Sequence, residues 1–390
     1  QAGLCLALLF GAGLFATSLR RLESLDLGVD VDRTIQMSFD LAPPRLVFDD
    51  DAADLPTADE TRTIYERVRD VLARHPNIER ATLAQGSPYK SGTGAGPWTA
   101  ERTHDELWAT RESAYRSTVG AGFFATVGAR SLRGRDFSES DRMGSQPVAI
   151  INAPLARYLW PSKEALGECM WLDDEPACYR IVGVLGGVWK LNALERDKMA
   201  VYLSLGQVPD SVPDAVYIRP RGNAQQLLND VRSIAQSVYP DLPAARATVL
   251  REIIEREFKP WRLGSSVFGA FAMVALVITA IGLYGAAAVA TAFRLREIGI
   301  RMALGARRRD VIRVVLGEGV TSVALGLLAG AALAAVASRW LGGLLFETTP
   351  GDTVVLVQTA VILLIVSAMG VAVPTLRALR TNPANVLRAE

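Results

Sequence analysis

Cys169 and Cys178 bracket the octapeptide Met-Trp-Leu-Asp-Asp-Glu-Pro-Ala, and the chemistry this pair could do is a disulfide. The Asp-Asp-Glu-Pro centre reads as a turn between two strands. Such a hairpin brings its ends within the roughly 5.5 Å Cα separation a disulfide prefers. A shift of one residue in register would instead point the two thiols to opposite faces and leave both free. Cys5 sits in an apolar run without a plausible partner and is expected to remain a thiol.

The other chemically capable residues are scattered. His75 and His104 lie on separate polar stretches with no Cys or His cluster nearby, so both read as solvated side chains rather than metal ligands. Asp49, Asp50, Asp51 and Asp54 could attract a cation, but nothing in their spacing imposes ligand geometry, and a solvated loop is the reading. Gly86-Ser-Pro-Tyr-Lys-Ser91 has the composition of a phosphate loop, yet the spacing is wrong and no glycine precedes Lys90. No Ser-His-Asp arrangement is legible. The sequence therefore predicts no catalytic residue, no metal centre and no cofactor in this chain.

The elements around these residues explain why. The chain has 390 residues, half of them apolar, with 42 basic against 41 acidic side chains. A nucleic-acid binder would carry a basic excess, so nucleic acid is not expected as a partner. Five lysines against 37 arginines read as genomic composition. The apolar residues concentrate at the two ends in four uncharged runs, 1–19, 264–293, 319–338 and 353–376. Each can supply the roughly 20 helical residues that span a bilayer, the third within a helix expected over 314–338. A soluble protein is excluded. Small residues recur on the third run at Gly326, Gly330, Ala331, Ala334 and Ala335, a pattern that lets helix backbones approach closely in lipid. No acidic or basic residue falls mid-span, which argues against an ion pathway.

Orientation follows from the short loops. Residues 294–313 hold seven arginines (Arg294, Arg296, Arg301, Arg307, Arg308, Arg309 and Arg313), whereas 339–352 hold Arg339 alone. The arginine-rich loop and the tail 377–390 are expected in the cytoplasm, which puts the polar insert 20–263 outside. Within that insert, Thr34–Leu41, Ala58–Arg74 and Ile78–Ala84 read as strand, helix and strand. Ala215–Arg219, Gln225–Val238 and Arg246–Leu250 repeat the pattern. The first helix gathers Ile64, Val68, Val71 and Leu72 on one face. Between the two units lies a strand-rich middle, with Pro147–Asn152, Cys178–Leu185 and Met199–Ser204 its clearest strands. Leu250–Arg262 then reads as a helix leading into the second span. The fold class is thus membrane α-helical, with four transmembrane helices and an α+β extracytoplasmic domain: one split lobe (about 30–85 and 214–250) holding a second (about 86–213).

Two stretches carry a family resemblance. Arg296-Glu-Ile-Gly-Ile-Arg-Met-Ala-Leu-Gly-Ala306 resembles the E-I-G-I-R-x-A-L-G-A signature of MacB/FtsX-type ABC transporter permeases. Gly122-Phe-Phe-Ala-Thr-Val-Gly128, Leu132-Arg-Gly-Arg-Asp-Phe137, Val148–Asn152 and Ile181-Val-Gly-Val184 resemble that family's periplasmic core domain, and Pro374–Arg388 its C-terminal ending. The resemblance implies a permease of the bacterial inner membrane with a periplasmic insert of porter and Sabre type, embedded in membrane lipid. It also implies a cytoplasmic ABC ATPase and a second permease unit as partners. The opening residues resemble the midpoint of duplicated permeases, so a C-terminal half is expected.

Glu297, Ile298, Gly299, Ile300, Arg301, Leu304 and Gly305 are the expected ATPase-coupling residues. The glycines permit close approach, the apolar side chains supply contact, and Glu297 and Arg301 are spaced i, i+4 on a helix. A basic juxtamembrane helix drawn to anionic lipid is the plainer reading of this segment. The function expected is a permease that couples hydrolysis by a separate ATPase to movement of the outer domain, for export or extraction on the periplasmic side. The alternative is a membrane-bound extracytoplasmic sensor or scaffold without transport activity.

Overall fold

The computed structural model describes residues 1–23, 28–41, 56–86, 93–95, 98–99, 114–129, 132–172, 177–186, 199–293, 324–336 and 352–378. The chain divides into two compact units, residues 1–25 with 258–390, and residues 26–257.

The first unit is helical: α1 (Ala2–Glu23), α7 (Lys259–Phe293), α8 (Ala324–Val336) and α9 (Thr353–Ala378). Of the four expected spans, α1, α7 and α9 are long and apolar enough to cross a membrane, while α8 is a shorter apolar helix among the described residues. A helix satisfies all its backbone polar groups internally, as lipid requires. Cys5, Leu6, Phe10, Leu14 and Phe15 are buried along α1, whereas α7 leaves Val267, Phe271, Val274, Ile278 and Ile281 exposed. The small residues of α8 do what their spacing predicts. A Cβ on Gly330 would lie 2.8 Å from the Gly3 carbonyl oxygen and 2.8 Å from Leu6 Cβ, and one on Gly326 would lie 2.7 Å from Ala2 Cβ. Backbone contact between α1 and α8 thus depends on glycine. Phe15 stacks on Phe268 at 5.1 Å, and Gly264 leaves room for that ring.

The helix expected over Leu250–Arg262 is divided into α6 (Leu250–Glu257) and α7. Pro260 explains the break. It lacks an N–H and its ring opposes the carbonyl four residues back, so it is tolerated in the first turn of α7 but not inside a continuous helix.

The 26–257 unit is built on one twelve-stranded sheet, ordered β12-β1-β11-β2-β5-β10-β7-β9-β8-β4. Its first four strands are β12 (Arg246–Val249), β1 (Ile35–Ser38), β11 (Ala215–Pro220) and β2 (Ile78–Gln85). Each adjacent pair is antiparallel, so β1 and β2 run parallel with β11 between them. With α2 (Ala58–Ala73) and α5 (Ala224–Val238) this is a pair of interleaved split β-α-β units, the ferredoxin-like arrangement. A capping box starts α2: the Thr57 side chain accepts from the Glu60 N–H at 3.3 Å, and Glu60 accepts from the Thr57 N–H at 2.7 Å. Its buried face is Ile64, Tyr65, Val68 and Leu72; Val71, expected there, is 38% exposed. These residues pack with Leu227, Leu228 and Val231 of α5 over Ile35, Leu83, Val216 and Ile218.

The remaining strands extend the same sheet. They are β5 (Ala114–Val119), β10 (Ala200–Ser204), β7 (Val148–Asn152), β9 (Tyr179–Leu185), β8 (Cys169–Leu172) and β4 (Trp98–Thr99). In addition β3 (Thr93–Ala95) pairs with β5, and β6 (Leu132–Gly134) with β9. A second core gathers Ala149, Ile151, Trp160, Ile181, Val201 and Leu203. Two short helices complete the unit, α3 (Phe123–Thr126) and α4 (Ala153–Leu159). Asn152 caps α4, its Oδ1 accepting from the Leu155 N–H at 3.1 Å and from the Ala200 N–H at 3.0 Å. The two cores lie on one continuous sheet.

Candidate functional site

The chain comes into the 26–257 unit after α1 and leaves it before α7, and the two connecting segments are clasped together. Val249 pairs with Ile35 across β12 and β1. The Leu250 N–H donates to the Thr34 carbonyl at 2.9 Å, and the Arg251 N–H to the Val31 carbonyl at 3.1 Å. Arg251 closes the clasp with two hydrogen bonds to Asp32, Nε to Oδ1 and Nη2 to Oδ2, the latter at 2.6 Å. These bonds hold the Asp32 carboxyl below its ordinary range. A displacement of either segment must therefore move β1 and β12 together.

Behind the clasp sits an ionic hub. Arg219 on β11 is only 14% exposed and donates to Asp30 Oδ2 at 3.1 Å, with Glu79 Oε2 at 3.7 Å from its Nε. Asp30 in turn donates its N–H to the Val127 carbonyl at 2.9 Å. Gly128 adjoins both groups with φ +67°; a Cβ there would lie 2.7 Å from Arg219 Nη1 and 2.9 Å from Asp30 Cβ. The loop 122–128 thus joins the incoming segment to the sheet.

The motifs of the insert are structural rather than chemical. Phe123 and Phe124 are buried, each meeting a tyrosine ring edge to face, Tyr217 at 5.2 Å and Tyr202 at 5.1 Å. Asp136 accepts from the Ala125 N–H at 2.9 Å and the Phe137 N–H at 2.7 Å; burial pushes its carboxyl up despite those bonds. Asp141, 6% exposed, is held by both terminal nitrogens of Arg135 at 2.7 and 2.8 Å, and that pairing pulls its carboxyl down. Asp141 also accepts from the Ser138 hydroxyl at 3.1 Å, and among the described residues no cluster of three His, Cys, Asp or Glu is placed to hold a metal.

Comparison with known proteins gives this architecture its context. Residues 260–383 match the model of the FtsX-like permease C-terminal family. Over these residues the chain is similar to that permease family. The chain is 29% identical over 211 residues to the pyoverdine export ATP-binding/permease protein PvdT of Pseudomonas syringae pv. tomato, covering 52% of this chain and 32% of that protein. It is 26% identical over 260 residues to the ABC transporter permease YknZ of Bacillus subtilis, covering 60% and 63%. To the macrolide export ATP-binding/permease protein MacB of Bdellovibrio bacteriovorus it is 28% identical over 213 residues, covering 51% and 32%. The chain thus spans between about a third and somewhat under two thirds of the curated relatives it matches. The solved periplasmic region of MacB from Actinobacillus actinomycetemcomitans aligns with a TM-score of 0.41 at 12% identity, over 60% of this chain and 97% of that one.

The expected coupling residues Glu297, Ile298, Gly299, Ile300, Arg301, Leu304 and Gly305 lie outside the described residues, as do the arginine-rich loop and the tail beyond Ala378. In the 26–257 unit, His104, Lys90 and the aspartates 49–51 and 54 also lie outside them. His75 is described, and its Nδ1 accepts from the Asn77 N–H at 3.3 Å in the turn after α2. Cys169 and Cys178 are joined by a disulfide with Cα atoms 5.5 Å apart. Cys169 pairs with Arg180 across β8 and β9; carried two residues back, that register sets Cys178 on the same face as Cys169. Cys5 is buried and unbridged. Denatured, unreduced protein from an oxidising compartment is expected to titrate one thiol; three would mean the bridge does not form there. A loop this short should contribute about 2–3 kcal/mol through the unfolded state.

Proposed function

We propose that this chain is the permease component of an export system, in which hydrolysis by a separate cytoplasmic ABC ATPase drives movement of the 26–257 unit on the outer side of a bacterial inner membrane. The clasp carries this reading: both connections between the two units of the chain are fixed to one sheet edge through β1, β12 and the Asp32–Arg251 pair. A shift in the helices after nucleotide binding would then reach the outer unit as a rigid-body motion, a common mode of switching. The export names of the relatives support the direction of transport. The apolar face of α7 calls for lipid or a second permease unit as its cover. The decisive experiment is reconstitution with the genomic ATPase partner and measurement of ATP hydrolysis. Co-purification and stimulated hydrolysis support the reading, and a protein that neither binds nor stimulates any ABC ATPase overturns it in favour of a sensor or scaffold.

The topology makes a separate prediction. A cysteine placed near Arg308 should resist a membrane-impermeant thiol reagent in intact cells, and one near Asp51 should react, following the arginine asymmetry of the short loops. The opposite labelling would invert the orientation and with it the assignment of an outer unit.

A further inference from the structure

A polar cleft of about 680 Å³ lies within the 26–257 unit, lined by residues that neither the clasp nor the membrane helices employ. Its floor is the hand-over between the two cores, where β2 and β5 meet over just Ala84↔Val119 and Gln85↔Thr118. Arg116 and Thr118 are two residues apart on β5 and so project from one face, with Gln85 opposite Thr118 on that face. Tyr179 and the loop 207–214 form the walls.

These walls are fixed in advance. Arg62 donates to the carbonyls of Val208, Pro209 and Ser211 at 3.3, 2.5 and 2.6 Å. Tyr65, whose phenol burial pushes well above its ordinary range, donates to the Asp214 carbonyl at 2.9 Å and accepts from the Phe39 N–H at 3.1 Å. The Asp214 N–H donates to the Ala84 carbonyl at 2.9 Å, and the Ser211 hydroxyl donates to Gln85 Oε1. The Gln207 amide is occupied by the Val148 N–H, Ser145 Oγ and the Gln146 carbonyl. A ligand would meet a cleft already ordered, which removes one of the main costs of binding.

Three polar groups in the lining are left over. Among the described residues, the Arg116 guanidinium makes no hydrogen bond or ion pair, and neither does the Asp210 carboxylate. Thr118 is 3% exposed, and its hydroxyl also takes no partner among the described residues. A guanidinium beside a hydroxyl on one strand face is suited to a carboxylate, which accepts paired N–H donors. Asp210 offers the reverse charge on the loop wall. A phosphate ligand would answer Arg116 but be repelled by Asp210 and Asp214, whereas a ligand with one carboxylate and one ammonium answers both. The volume lies in the usual range for small-molecule sites, roughly 300–1,000 Å³.

We infer that this cleft binds a short zwitterionic peptide, its carboxylate on Arg116 and Thr118 and its ammonium on Asp210. Binding is read on this chain alone, so it can fail while ATPase coupling survives, and the reverse. The test is calorimetric titration of the full chain in lipid nanodiscs with trialanine, its C-terminal amide and its N-acetyl form. Trialanine should bind saturably, and amidation, acetylation, Arg116→Gln and Asp210→Asn should each weaken it about tenfold, as expected for loss of a charge-assisted bond. Amidation should cost nothing further in Arg116→Gln. The modified peptides test the same contacts on unaltered protein, so a variant that fails to fold does not rescue the idea. No saturable heat up to about 10 mM, a concentration about tenfold above a millimolar Kd, would overturn the inference. Equal binding of the amidated or acetylated peptide would overturn it too.

Discussion

Gly134→Ala is expected to lower the stability of the 26–257 unit by about 3 kcal/mol or more, whereas Gly122→Ala should cost about 1 kcal/mol. Both glycines have positive φ, +90° and +66°, a region an L side chain adopts only with strain. Their surroundings differ. A Cβ on Gly122 meets nothing within 4 Å, while one on Gly134 would lie 2.3 Å from the Val182 carbonyl oxygen, 2.8 Å from Leu166 Cδ2 and 3.1 Å from Gly183 Cα. That carbonyl also accepts the Arg135 N–H at 2.9 Å, and Gly134 pairs with Gly183 between β6 and β9. The alanine can be accommodated only by parting β6 from β9. For a unit of this size each kcal/mol moves the thermal midpoint by about 2–4 °C, so Gly134→Ala should fall by about 6–12 °C and Gly122→Ala by about a third of that. Equal losses in the two variants would show that backbone strain alone, not the strand contact, makes glycine necessary at 134.

The helices were legible because local signals agree: Thr57 and Glu60 form a capping box at the start of α2, and Ile64, Val68 and Leu72 recur at helical spacing. Val71 was misplaced because it lies at the flank of that stripe, where one step of 100° decides exposure. Tyr65 was overlooked because a phenol reads as amphipathic; it is buried with its hydroxyl bonded to the Asp214 carbonyl and the Phe39 N–H. Strand positions emerged from composition, but the joining of both cores into one sheet did not. It rests on β5 pairing with β2 over two residues and in parallel with β10, more than 80 positions away, and no local pattern encodes that partner. The hub was hidden for a related reason. Asp30 and Arg219 are 189 residues apart, and with 37 arginines in the chain none advertises its partner. The signal that could have located it is Gly128, a glycine closing a Phe-Phe loop at a place where only a bare backbone fits between two charged groups.

Glu297→Arg and Gly299→Trp are each expected to reduce ATPase stimulation about tenfold or more, a loss equivalent to about 1.4 kcal/mol of coupling or greater. The basis is chemical pattern in the arginine-rich segment that the proposed topology places on the cytoplasmic side. Glu297 and Arg301 are spaced i, i+4, so if the segment is helical, reversal at 297 would place two cations side by side, unfavourable by a few tenths of a kcal/mol. Against a partner surface that complements the original charge the penalty is larger, because a mismatched interfacial charge forfeits its attraction and repels. Gly299 acts through space rather than charge. On the proposed coupling, an indole there would hold the segment off a partner surface met by Ile298, Ile300 and Leu304. Neither change alters an uncharged span, so membrane insertion and thiol labelling from either side should be as in the parent. Pull-down of the ATPase together with hydrolysis by the reconstituted complex separates the outcomes: lost binding or lost stimulation assigns the coupling to this segment. If both variants bind and stimulate as the parent does, the segment is a lipid-facing basic helix and the ATPase engages the permease elsewhere.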